Sequence, residues 1–140
     1  MSSAPSFTRV DFYDYKIRMC MIDGAGAPSE ADGTKMYLVS DLLRQYNEKN
    51  GTNKKFDDYL ESEDTQEVIK HMAKSRAISA EDDKWDIPHV IQCVTMSTTF
   101  GGANKEYVIC EELLHACLIW ADPDFAWNIL SFMCNKTMHI

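Results

Sequence analysis

Ser97-Thr98-Thr99-Phe100-Gly101-Gly102-Ala103-Asn104-Lys105-Glu106-Tyr107-Val108-Ile109 sets two β-prone runs on either side of a Gly-Gly pair, the signal of a β-hairpin. Beyond it the pattern changes period. Glu111 to Trp120 reads as a helix, Asp122-Pro123 breaks it, and a second helix runs from Asp124 to about Asn135. Leu113, Leu114, Cys117, Leu118, Phe125, Ile129, Leu130 and Phe132 are expected to build much of the core. A hairpin followed by helices points to a mixed α+β domain.

Working back towards the N-terminus, His89 to Thr95 fits either a helix started at Pro88 or an apolar strand, and periodicity does not separate the two. The acidic stretch Ala80-Glu81-Asp82-Asp83-Lys84 reads as a surface loop. A helix is expected from about Thr65 to Arg76, with Val68, Ile69, Met72 and Ala73 as its apolar stripe. Before it, the polar turn Glu61-Ser62-Glu63-Asp64 follows a short helix over 53–60 that points Phe56, Tyr59 and Leu60 inward. Ser40 is a good N-cap for the first helix, Leu42, Leu43 and Tyr46 its buried stripe, and Asn50-Gly51 its stop signal. Lys35 to Val39 reads as a short strand, Asp23 to Gly33 as a loop, and Phe7 to Ile22 as a half-buried strand pattern with polar interruptions. The expectation is one compact domain, with N-terminal strands and a loop over 1–33 and the remaining elements over 34–140.

Composition narrows the function. The 140 residues carry 14 Lys plus Arg against 22 Asp plus Glu, a net charge of −8, and 45% are apolar, enough for a core. No apolar run approaches the length of a membrane span. Met1-Ser2-Ser3-Ala4-Pro5 lacks the basic and apolar regions of a signal peptide, so an intracellular location and no membrane association are expected. The five cysteines form no Cys-x-x-Cys pair and are read as free thiols in a reducing compartment.

Catalysis is not expected. His71, His89, His115 and His139 are scattered, no zinc-binding spacing is present, and neither a metal nor a cofactor is expected. His115 and Cys117 are two apart on a helix and do not share a face. Gly24-x-Gly26 lacks the third glycine of a phosphate-binding turn. Phe12, Tyr13, Tyr15, Tyr37 and Phe100 would offer stacking platforms for single-stranded nucleic acid, but strand aromatics more often pack a core.

Several segments, in order, resemble the KilA-N domain, a DNA-binding module of large DNA viruses and phages. Trp120-Ala121-Asp122-Pro123-Asp124-Phe125-Ala126-Trp127-Asn128 is similar to the run that joins the family's last two helices. Glu106 to Leu114 resembles its strand-into-helix segment. Met36 to Leu43 resembles its earlier strand-into-helix segment, with Val39-Ser40-Asp41 where the family has Asn-Ala-Thr. Lys54 to Leu60 resembles its short helix, with Tyr59 where Trp is common. The resemblance covers about residues 34–135. Some poxvirus relatives add a RING domain, which five cysteines without paired spacing do not make.

The resemblance implies a small N-terminal sheet, a helix-turn-helix-like core and a hairpin wing. It also implies DNA binding through the helix at about 65–76 and the hairpin at about 98–106. Lys70 and Lys74 lie four apart on one helical face, with Gln66 and Arg76 nearby, while Lys54 and Lys55 precede the turn. Gln66 would read adenine and the lysines guanine or phosphate, with Thr98 and Lys105 of the hairpin beside them on the backbone. The plainer alternative is a solvated helix face.

The charge distribution bears on both. Residues 1–33 hold three basic and five acidic side chains, 34–78 eight and eight, and 79–140 three and nine. Asp57, Asp58, Glu61, Glu63, Asp64 and Glu67 fall on the same helical segment as the lysines and would repel phosphates. The rival expectation is therefore a protein-interaction domain, for a host or viral partner, that keeps the fold and has lost DNA binding. Self-association through the last helix is a third, since Trp127, Phe132 and Met133 exceed what one small core buries.

Overall fold

A computed structural model describes residues 6–22, 34–75, 90–97 and 102–138. The loop at 23–33, the acidic stretch at 80–84, the helix start at Pro88, and Arg76, His89, Thr98, Thr99, Phe100 and His139 lie outside the described residues.

Five strands and five helices follow in the order β1 (Thr8–Phe12), β2 (Tyr15–Ile22), β3 (Thr34–Leu38), α1 (Val39–Asn50), α2 (Phe56–Glu61), α3 (Glu63–Ser75), β4 (Ile91–Ser97), β5 (Ala103–Cys110), α4 (Glu111–Ala121) and α5 (Pro123–Met138). The strands form one antiparallel sheet, β1-β2-β3-β5-β4. The N-terminal strands and the hairpin wing are thus parts of a single sheet, joined where β3 pairs with β5, Met36 opposite Cys110 and Leu38 opposite Val108.

This arrangement follows from the residue pattern. Met36, Tyr37 and Leu38 on β3 and Val108, Ile109 and Cys110 on β5 are all buried. Successive side chains on a strand point to opposite faces, so these central strands are covered on both sides. Helix α1 packs on β2 and β5, and α4 on β3 and β5. They contribute Val39, Leu42, Leu43 and Tyr46, and Leu113, Leu114, Cys117, Leu118 and Ala121, to the core.

The half-buried strand pattern at 7–22 forms two strands, β1 and β2. It turns at Tyr13-Asp14, with Tyr13 in the left-handed region at φ 54°. No glycine marks that turn. The Tyr13 ring packs edge-on to Phe12, His115 and Phe125, and its hydroxyl lies 2.9 Å from His115 Nε2, which offsets the strain of the backbone. The residues at 91–97 settle as strand, in register with 103–109.

Two further details differ from the sequence reading. Helix α1 begins at Val39, one residue before Ser40, and its N-cap position is Leu38, without a side-chain cap. The polar turn shrinks to Ser62, because Glu63 and Asp64 already form the first turn of α3 and complement its positive end. Gly51 ends α1 in the left-handed conformation, at φ 66°. The Asp122 carboxylate accepts the backbone N–H groups of Asp124 and Phe125, capping α5 with Pro123 in its first turn.

Helix α5 is less buried than its apolar content suggests. Phe125 and Ile129 are half-buried, whereas Leu130 and Phe132 are exposed, as are Trp127 and Met133. The helical part of the core comes chiefly from α4 and α1, with Phe56 and Tyr59 of α2 and Ile69 and Ala73 of α3.

Candidate nucleic-acid interface

The side chain of Asn47 organises the loop between α1 and α2. Its Oδ1 accepts the Lys54 N–H at 2.8 Å and the Thr52 hydroxyl at 2.8 Å, while its Nδ2 donates to the Lys54 carbonyl at 2.9 Å. This grip sets Lys54 and Lys55 at the start of α2. Phe56 and Tyr59 anchor the helix behind them, Phe56 with its ring 5.3 Å from Tyr107 and Tyr59 5.1 Å from Trp120. The Lys54 ammonium lies 5.3 Å from the centre of the Trp120 ring, a cation–π contact.

Asn47, Lys54, Lys55, Phe56 and Tyr107 help to wall a hollow of about 510 Å³ between α1, the start of α2 and the β4–β5 hairpin. Arg44 comes from α1, Lys54 and Lys55 from the loop, and Lys105 from β5; Asp57 and Glu106 are the carboxylates among them. Cations thus converge from three parts of the chain. Arg44 and Asn47 carried no local sequence signal, because each belongs to the groove only through the packing of α1.

The remaining expected contacts are arranged differently. Gln66 turns back and donates its side-chain N–H to the Leu60 carbonyl, tying α3 to the end of α2. Lys70 lies 3.6 Å from Glu67 on its own helix, and Lys74 is exposed in the last turn. Neither lysine lines the groove.

A second, smaller hollow of about 280 Å³ adjoins the first at Arg44 and is lined by Arg9, Lys16, Arg18, Asp41, Arg44 and Gln45. Asp41 is buried, and its carboxylate takes the backbone N–H, Nε and Nη2 of Arg18, each at 2.9 Å, with Arg44 Nη2 at 3.5 Å. Burial works to raise the Asp41 pKa, but the hydrogen bonds and charge of Arg18, with Arg44 behind, hold it below the ordinary value. The bond to Asp41 chiefly raises the pKa of Arg18 in turn.

Cys117 of α4 lies in the core. Its thiol is fully buried and burial pushes it up to about 12, far from a nucleophilic thiolate. The neighbouring His115 ring is held between the Tyr13 hydroxyl and the Glu111 carbonyl. Among the described residues no group of three or more His, Cys, Asp or Glu is placed to hold a metal ion, and no helix is long and apolar enough to cross a membrane.

The chain matches the family model of the KilA-N domain over residues 28–137. No curated protein and no solved structure matches it.

Proposed function

Because the chain belongs to the KilA-N family, a domain commonly found to bind DNA, we propose that it binds duplex DNA without catalysis. One observation carries this reading: Arg44, Lys54, Lys55 and Lys105 share one groove although the whole chain carries a charge of −8. A local cationic patch attracts a polyanion even when the sum is negative. Phosphates follow the groove, with the β4–β5 hairpin contributing Lys105 to its wall. The protein acts inside the cell, where its target is, and its family points to a viral or phage source.

The test is fluorescence anisotropy with random-sequence duplex at several salt concentrations. Log-linear weakening with salt, lost in Lys54→Glu/Lys55→Glu, supports the groove. Lys70→Glu/Lys74→Glu measures the share of α3. No binding at about 50 mM salt, where phosphate contacts are strong, overturns non-specific duplex binding as the activity.

The exposed face of α5 favours a second reading, a protein-interaction domain. Trp127 and Leu130 lie three apart, 69% and 56% exposed. Sedimentation of the full chain tests the self-association form of this reading. A concentration-dependent dimer lost in Trp127→Ser/Leu130→Ser supports it, and a monomer at all concentrations removes it.

A further inference from the structure

The β1–β2 hairpin carries a charge arrangement that packing alone does not require. Arg9 stands directly opposite Arg18 in the ladder. Like charges in cross-strand register destabilise a sheet, and among the described residues Arg9 has no acidic partner. Arg18 itself is fixed: Asp41 holds its backbone and guanidinium, yet its side chain remains 41% exposed. Arg44 is steadied between Asp41 and Glu48, at 3.5 and 3.9 Å. Lys16 pairs with Asp11 on the opposite strand.

The hairpin is locked to α1 by main-chain bonds. Gln45 accepts the Lys16 N–H at 3.0 Å and donates to the Lys16 carbonyl at 2.6 Å, leaving the Lys16 side chain out of the lock. The smaller hollow therefore sets four cations around one buried carboxylate. Asp41 neutralises one charge and orients two guanidinium groups. Guanidinium forks held in this way suit the paired oxygens of phosphate. Arg44 also lines the larger groove, so the two hollows share one guanidinium group.

We propose that Arg9, Lys16, Arg18 and Arg44 form a second phosphate-binding subsite, which takes backbone phosphates of the same duplex that occupies the groove. This extends the footprint from the α1–α2 loop onto the N-terminal hairpin. It rests on the DNA-binding reading for the identity of the ligand, but not for the presence of an anion site. Asp11, Glu48 and Glu106 are the carboxylates that limit its strength, by pairing with Lys16 and Arg44 and by acting on Arg18.

The full chain is compared with Arg9→Gln/Lys16→Gln, both exposed side chains outside the groove, in duplex titrations over a range of salt. The salt slope is expected to fall by about 1.8, since each lost phosphate contact removes about 0.9. An unchanged slope, in a chain that still binds DNA through Lys54 and Lys55, overturns the hairpin subsite and leaves the groove standing. A second arm follows the Nε–H signals of Arg9, Arg18 and Arg44 by NMR on adding inorganic pyrophosphate. Saturable shifts of these signals support the subsite even if duplex does not bind, in which case the free anion is its ligand. Absence of shifts, together with no duplex binding, overturns both the subsite and the DNA reading.

Discussion

Asn47 holds Lys54 by its backbone from both sides, accepting its N–H at 2.8 Å and donating to its carbonyl at 2.9 Å. The same lysine lays its ammonium over Trp120. A surface lysine on a loop ordinarily samples many positions, and ordering it costs entropy when a ligand arrives. Here the backbone half of that ordering is complete before any ligand is present.

Replacing Asn47 by Ala removes both bonds to Lys54 and the one to Thr52. Stability is expected to fall by about 2 kcal/mol, about 1 kcal/mol for each of the two half-buried bonds to Lys54 with the exposed one to Thr52 adding little, as read by urea unfolding. Duplex affinity is expected to fall further than Lys54→Ala alone accounts for, because Lys55 loses its setting too. Anisotropy on the two variants side by side checks this.

Asp41→Asn breaks the charge pairing with Arg18 at a position where the carboxylate is buried and the guanidinium is half in water. We expect a loss of about 2 kcal/mol at neutral pH, kept modest by that solvent exposure. The folded carboxyl titrates below its ordinary value of 3.8, so its contribution is full above that value and disappears as pH falls through the lower folded one. Unfolding free energies of the two proteins should therefore run parallel from neutral pH down to pH 5 and converge only in stronger acid.

Gly51 tests backbone conformation in isolation. At φ 66° an added Cβ meets nothing within 4 Å, so Gly51→Ala pays only for the left-handed conformation. About 1 kcal/mol is expected, and less for Gly51→Asn, since asparagine tolerates that region. Thermal unfolding of the pair against the parent separates them.

Trp120 joins the ring of Tyr59 to the ammonium of Lys54. Trp120→Ala is expected to cost about 3 kcal/mol, the lower end for a large aromatic because the ring is only half-buried. Trp120→Phe keeps a ring against Tyr59 and should recover most of that stability. Denaturant midpoints for the two variants provide the comparison.

What was legible in the sequence is what local chemistry determines. Gly51 ends a helix because only a residue free of Cβ strain sits easily at that φ, and Asp122-Pro123 caps α5 through groups adjacent in the chain. The second strand of the hairpin, over 103–109, and the core of α4 follow from period and composition, whereas 91–95 reads equally as helix or strand until its pairing with β5 decides. The turn at Tyr13 was not legible, because tertiary contacts with His115 and Phe125 compensate its backbone strain. Nor was the second hollow. Arg18 and Asp41 look like two ordinary surface charges until β2 and α1 are packed together, and Lys105 meets Lys54 only through the sheet. Leu130 and Phe132 misled in the other direction: α5 carries core-like residues on a face that this chain leaves exposed.

The pairing of β3 with β5 also governs how the chain assembles. Met36 pairs with Cys20 on one side, but on its other side it finds a ladder partner only in Cys110, after α1, α2, α3 and β4 have intervened. During synthesis the apolar strand Met36-Tyr37-Leu38 therefore waits with one open edge until almost the whole domain has left the ribosome. Such non-local pairing slows folding and leaves the waiting strand prone to intermolecular pairing. A chain cut after α3 keeps Lys54 and Lys55 but loses β5, the strand that closes the centre of the sheet, and is expected to aggregate rather than fold into a smaller binding unit.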